Sequence, residues 1–336
     1  MGLLNTSNGG QFPSNGGLQY EQWRALRDEL ASGLVSFDKR AMSRNPALQK
    51  SVGRTMRAAH QAAQAVPNTE IVKAGELVQA SFANGSSPTA AARKTIALML
   101  QKAAGDAWEP GRLFQITKRE LRGSHKGNER LHDVLDEVQR TLIRIETISP
   151  AGRHAVEVAP VLTRRIEETD DADSAIVWFQ FSEAARIAMQ GSNHYARLNR
   201  AAVLAFESRY SVTLYERGAM LCGCQNRIWR GTVAELRALL GVPPDTYPNW
   251  TDLKRFTVDR AVAEVNHLSH FTVTVGERRQ GRRVTEVTLA FEPKSPAAMD
   301  AAADELNASR IGRKARRRGQ VETVLPLALP AFDGKA

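Results

Sequence analysis

Four arginines, Arg278, Arg279, Arg282 and Arg283, fall within six residues of one another, and Glu277 is the one adjacent acid. A guanidinium can use such crowding in two ways: its planar fork grips guanine O6 and N7 through paired hydrogen bonds, or it clamps phosphate oxygens. Just upstream, residues 251–266 read Thr-Asp-Leu-Lys-Arg-Phe-Thr-Val-Asp-Arg-Ala-Val-Ala-Glu-Val-Asn. At about 100° per residue, Val258, Ala261, Val262 and Val265 share one side with Leu268. Asp252, Arg255, Phe256, Asp259 and Arg260 occupy much of the other. A polar face is ordinary for a surface helix. The basic hairpin next to it gives this one chemical meaning, because a helix-turn-helix offers its last helix to the major groove while flanking basic loops hold phosphate. Phe256 is unusually apolar for an outward side. It would touch a thymine methyl there, or join the core if the helix is rotated.

The constellations that would support catalysis are incomplete. Gly276 and Gly281 are followed by Arg282-Arg283 where a phosphate-cradling loop needs Lys-Ser/Thr. His267-Leu-Ser-His270 has the wrong spacing for the metal-binding pair of a DNA nickase, and His125 and His132 have no thiol or carboxylate cluster converging on them. Asp170-Asp171-x-Asp173 reads as a solvated acidic loop. Cys222 and Cys224, the only two cysteines, are too few for a disulfide framework or an unaided zinc site and read as reduced thiols. The expectation is therefore a protein with no catalytic residues, no metal and no cofactor.

The elements that position the basic residues recur twice along the chain. In the second pass a long helix is expected over 201–221, and Thr232 caps a short one over 233–240, closed by Gly241 and Pro243-Pro244. The helix described above starts at Asn249 or Thr251. Phe271-Thr-Val-Thr-Val and Val284–Phe291 then alternate with period two around a basic tip at 276–283. In the first pass Ser87 is placed to cap a helix over 89–104. Phe114-Gln-Ile-Thr is strand-like, a short helix covers 118–121, and Leu131, Leu135, Val138 and Leu142 carry a strong helix over 128–145. Strand-like pieces at 154–158 and 174–181 flank the acidic loop. Two passes of three helices and a hairpin predict an α+β protein of two tandem winged-helix domains, 66–193 and 194–295. Flexible extensions are expected on either side, 1–65 and a basic tail 296–336.

Composition fits a polyanion partner. The 336 residues carry 46 Lys and Arg against 36 Asp and Glu, a formal charge of +10 and a pI near 9.9. That favours nucleic acid first and an acidic membrane surface second. No run of about 18 apolar residues is present to span a bilayer. The first ten residues lack the basic and apolar regions of an export signal, so a cytoplasmic location is expected. The segment Arg310-Ile-Gly-Arg-Lys-Ala-Arg-Arg-Arg318, six basic residues in nine, is expected to act as a flexible phosphate tether adding affinity without specificity.

Several stretches resemble one family. Arg209-Tyr-Ser-Val-Thr-Leu-Tyr-Glu216, Thr246-Tyr-Pro-Asn-Trp-Thr-Asp-Leu-Lys-Arg-Phe256, Ala263-Glu-Val-Asn266 and the hairpin closing in Val287-Thr-Leu-Ala-Phe291 resemble the iteron-binding plasmid replication initiators, the RepB-type tandem winged-helix family. The likeness is specific over 195–291. Over 66–190 it rests on element order and on Pro88-Thr-Ala-Ala-Ala-Arg-Lys-Thr-Ile-Ala-Leu-Met-Leu100. It implies that the second winged helix reads a direct repeat of double-stranded origin DNA, with Lys254 and Arg255 at the basic pair of the reading helix and Arg278, Arg279, Arg282 and Arg283 on the wing. The first domain would contact the DNA backbone and mediate a homodimer in equilibrium with the monomer. The resemblance further implies origin opening, recruitment of a host initiator and replicative helicase, and repression of the protein's own promoter by the dimer. Phe256 and Thr257 depart from relatives that extend the basic run, so base preference does not carry over. The competing expectation is a winged-helix transcriptional regulator without initiation activity.

Overall fold

The computed structural model describes residues 69–320 other than 84, 104–109, 123–128, 171 and 193. The expected extension 1–65, the domain start at 66, His125, Asp171 and the tail beyond 320 lie outside the described residues. The chain divides into two compact units. One contributes only 146–157 to the described residues, a strand end and a strand start joined by a turn in which Ser149 N–H donates to the Arg153 carbonyl at 2.7 Å. All else below belongs to the other unit.

The first winged helix opens with β1 (Glu70–Ala74), α1 (Gly75–Gln79) and β2 (Ser81–Phe82). Its helical core is α2 (Ala90–Ala103), α3 (Lys118–Arg122) and α4 (Glu129–Arg140), with β3 (Phe114–Thr117) between the first two. Strands β4 (Leu142–Ile148), β5 (His154–Pro160), β6 (Leu162–Glu167) and β7 (Ile176–Phe181) follow, then α5 (Glu183–Gly191). Three expectations are corrected here. The cap of α2 is Thr89, whose Oγ1 accepts from Ala92 N–H at 3.2 Å, while Ser87 Oγ accepts from buried Arg93 at 3.1 Å. Helix α4 ends at Arg140, because Leu142-Ile-Arg-Ile alternates and Ile143 and Ile145 are buried as strand residues. The wing is β6 with β7, in register Glu167↔Val177, in a sheet of order β3-β7-β6 in which 154–158 takes no part.

The second winged helix repeats the plan: β8 (Tyr195–Asn199), α6 (Arg200–Ala205), α7 (Arg209–Cys222), β9 (Ile228–Gly231) and α8 (Val233–Leu240). Next comes α9, a continuous helix over 250–268, then the hairpin β10 (Phe271–Gln280) and β11 (Arg283–Pro293). The sheets of the two domains have equivalent orders, β3-β7-β6 and β9-β11-β10, so the duplication inferred from pattern is present in the topology. The single helix expected over 201–221 is two, α6 and α7. The break at 206–208 is stabilised from a distance, since the buried Glu264 carboxylate accepts from Glu207 N–H at 2.7 Å and Ser208 N–H at 3.3 Å. Tyr215, Phe271 and Phe291 are fully buried, with the Tyr215 and Phe271 rings stacked at 5.7 Å.

After the wing, α10 (Pro296–Asn307) and α11 (Arg313–Arg317) pack on α9. The free tether expected of 310–318 is corrected for the residues that the protein itself engages. Glu305 accepts from Arg313 Nε at 3.1 Å and from Arg316 at 2.6 Å. Arg310 donates to the Leu204 carbonyl at 3.2 Å, and Arg317 lies 4.0 Å from Glu264. A run of arginines attracts phosphate only while no nearer acid holds it.

Candidate nucleic-acid interface

Helix α9 is built from three pieces: Trp250–Leu253, a π-helical turn Lys254–Val258, and Asp259–Leu268. Asn249 caps it, its Oδ1 accepting from Asp252 N–H at 2.8 Å. Leu253, Thr257, Ala261 and Val265 are all buried and recur every four residues. On a 3.6-residue helix such a row drifts by about 40° per step, and one widened turn takes up the drift. The opposite side carries Arg255, Asp259 and Arg260, all exposed. Among the described residues neither Arg255 nor Arg260 has a hydrogen bond or ion pair; their guanidinium carbons lie over the Phe256 ring at 5.2 and 5.3 Å.

Phe256 is half-buried, and its ring stacks on that of Tyr247 at 5.3 Å with 22° between planes. It stands under the two arginines rather than in the core.

The wing presents two faces. Phe271, Val273 and Val275 turn toward the core, and the same strand face continues as Glu277 and Arg279, which border α9. Lys254 Nζ reaches Glu277 Oε1 at 2.8 Å, while Arg279 holds Glu277 Oε2 at 2.8 Å. The hydrogen bond from Lys254, aided by Arg279, lowers the Glu277 pKa, and the same bond raises that of Lys254. This carboxylate rivets helix to wing and occupies two of the cations expected to meet DNA. A cleft between them is lined by Trp250, Thr251, Lys254, Arg255, Asp259, Glu277 and Arg279. Arg278, Arg282 and Arg283 are exposed at the tip. There the strands run up to the pair Gln280↔Arg283, longer than expected, and turn through Gly281 at φ +60, a conformation favouring glycine.

The first domain's wing has the opposite character. Its turn carries Glu168, Asp170 and Asp173, held locally by Ile176 N–H, by Ala172 N–H and by Arg122. The turn of the first wing is thus acidic and the tip of the second basic, although β6 also exposes Arg164.

Among the described residues no group of three or more His, Cys, Asp and Glu is placed to hold a metal ion. His132 pairs with Glu167 at 3.0 Å and His267 faces Glu305 at 3.5 Å, while His270 lies edge-on to Tyr215. No helix among them is long and apolar enough to cross a membrane.

Sequence reasoning passed over Tyr247 and Arg237. Tyr247 is the one non-glycine among the described residues with a positive φ, 54°, and it precedes Pro248. Arg237 stabilises that strained backbone by donating to the carbonyls of Pro243, Thr246 and Tyr247 at 3.0, 2.5 and 2.6 Å. No local signal pointed to this conformation, because a residue before proline is ordinarily extended.

Two tandem winged helices, the second with an arginine-bearing third helix riveted to a basic wing, define a class of DNA-binding protein. The family model described as "Initiator Replication protein, WH1" matches residues 70–218, and "Initiator Rep protein, WH2" matches 232–291, together well over half of the chain. The chain belongs to this family of replication initiators. The crystal structure of Pi initiator protein in complex with iteron DNA is 15% identical and covers 68% of this chain and 99% of that one, with a TM-score of 0.49. Domains 2 and 3 of RctB are 10% identical over 60% of this chain and 82% of theirs, with a TM-score of 0.37. A search of curated proteins finds no match.

Proposed function

We propose that this initiator binds short direct repeats of double-stranded DNA at a plasmid origin, inserting the first half of α9 into the major groove. Arg255 and Arg260 read base edges, with Asp259 between them. Arg278, Arg282 and Arg283 hold phosphate, and Lys254 and Arg279, shared with Glu277, set the angle between helix and wing. The observation that carries this reading is the pair of exposed guanidiniums on α9 with no polar partner among the described residues, beside a wing whose free cations point away from the core. The protein acts by binding, without a covalent step of its own. Phosphate neutralisation releases counterions and supplies the free energy that distorts an adjacent AT-rich stretch. The first domain would contribute backbone contacts and a homodimer, and the DNA-bound monomer would recruit the host initiator and helicase, with dimers repressing the initiator's own promoter.

Footprinting on the DNA flanking the gene tests this. Protection of several tandem repeats beside a distorted AT-rich segment is the expected result. Protection of a promoter operator alone would make the protein a transcriptional regulator instead.

A further inference from the structure

The π-turn of α9 and the left-handed backbone at Tyr247 are two departures from regular structure, and they meet at one side chain, Phe256. On a regular α-helix, residues five apart point about 140° away from each other, so Arg255 and Arg260 would face different ways. Within this helix Asp259 N–H donates to the Lys254 carbonyl, and the extra residue in the turn draws the two arginines toward one side. Both then lie over the Phe256 ring, which rests on Tyr247, and Tyr247 is fixed by the three hydrogen bonds from Arg237. A guanidinium drawn to a ring by its charge keeps its N–H donors for another partner. Confined in this way, it surrenders less rotamer freedom when it grips a base than an arginine free in solvent.

We infer that Phe256 and Tyr247 are positioning residues, an aromatic platform that presents Arg255 and Arg260 together to guanine edges in the major groove. The inference rests on the reading of α9 as the base-reading helix. It assigns the sequence preference of this chain to a pair of arginines spaced by a π-turn, with Phe256 acting beneath them and making no base contact of its own.

The test uses the full-length protein and a duplex library with a randomised core, comparing the enriched sequence with its scrambled counterpart. Phe256→Leu and Tyr247→Leu are expected to lower the enriched-to-scrambled affinity ratio by about tenfold and to flatten the preference at guanine positions. Affinity for the scrambled duplex and its salt dependence should stay unchanged. Phe256→Tyr and Tyr247→Phe keep the rings and should keep the ratio to within roughly threefold. The platform is overturned if the leucine variants retain the ratio, if they lose scrambled-duplex affinity in parallel, or if the ring-retaining variants fail as badly. A wild-type protein that enriches no sequence overturns the reading of α9 and the platform with it. Wild-type enrichment matched by the leucine variants overturns the platform alone.

Discussion

At the scale of single residues, the interface separates cations by what already holds them. Lys254 and Arg279 share Glu277, whereas Arg255, Arg260, Arg278, Arg282 and Arg283 have exposed side chains. The two groups of free arginines should therefore give different signatures. Arg255→Ala is expected to reduce discrimination between cognate and scrambled duplexes by about 1–3 kcal/mol, as loss of a bidentate base contact does. Equal losses on both DNAs, measured by titration at fixed salt, would move Arg255 to the backbone. Replacing Arg282 and Arg283 by Ala together should weaken binding to every duplex and make the log–log salt dependence shallower by about 2, close to one unit per phosphate contact. An unchanged slope would take the wing tip out of the interface. The outward position of Arg255 and Arg260 was legible from helical periodicity. The role of Phe256 was not, because its partner Tyr247 depends on a backbone conformation fixed by Arg237, ten residues earlier in sequence.

Between elements, the sequence was read correctly at α8, where local signals decided the outcome, and a local cap was misplaced by two residues at α2, from Thr89 to Ser87. Thr232 caps α8 through a reciprocal box with Glu235, and Gly241 closes it at φ +65. The larger errors fell where a distant group decided. Glu264 on α9 splits 201–221 into two helices, and the run Leu142–Ile145 continues the spacing of α4 but pairs as a strand beside β2. The basic tail is the clearest case, since Glu305 takes Arg313 and Arg316 out of the expected tether and holds them as a clamp beside α9. The hydrogen bond from Arg316, with help from Arg313 and His267, lowers the Glu305 pKa to about 2. A carboxylate depressed from its ordinary value of 4.5 stabilises the folded state fully above that value and loses its contribution as pH falls toward 2. Glu305→Gln should therefore reduce amide-exchange protection of 296–317 at pH 7 by roughly 1–2 kcal/mol once solvent screening is allowed for. The difference from wild type should shrink steadily below about pH 4.5 and vanish near pH 2. A difference independent of pH would mean that packing, and not the ionised carboxylate, holds the two helices.

For the whole molecule, the question is what joins the two winged helices. Strand β1 of the first pairs with β8 of the second, in register Ile71↔Leu198. Ser87 N–H donates to the Gly241 carbonyl at 2.9 Å, in a contact so close that a Cβ on residue 241 would come within 2.6 Å of the Ser87 side chain. Beneath these lies an ionic triad: Glu216 of α7 accepts from Lys73 at 2.9 Å and also from Arg93 of α2, and all three side chains are at most a tenth exposed. Burial would raise the Glu216 pKa, but the charges of Arg93 and Lys73 and their hydrogen bonds outweigh it and keep the carboxylate ionised. A buried triad of this kind stabilises less than its count of contacts suggests, because desolvation offsets most of the attraction, yet removing one member leaves the others uncompensated. Glu216→Gln is nearly isosteric and should cost about 3–5 kcal/mol in urea unfolding, since two cations remain buried without a counter-charge. Replacing Lys73, Arg93 and Glu216 together by Met or Leu removes the charges along with the attraction and should come within about 1 kcal/mol of wild type or exceed it. If the single substitution costs less than about 1 kcal/mol, water reaches the triad and the domains are joined by the strand pair instead. If both predictions hold, the apolar variant should remain folded with the cross-domain charges gone. Footprinting that variant on tandem repeats would then show whether the triad is needed to fix the geometry in which the two domains meet DNA or serves only to close the seam.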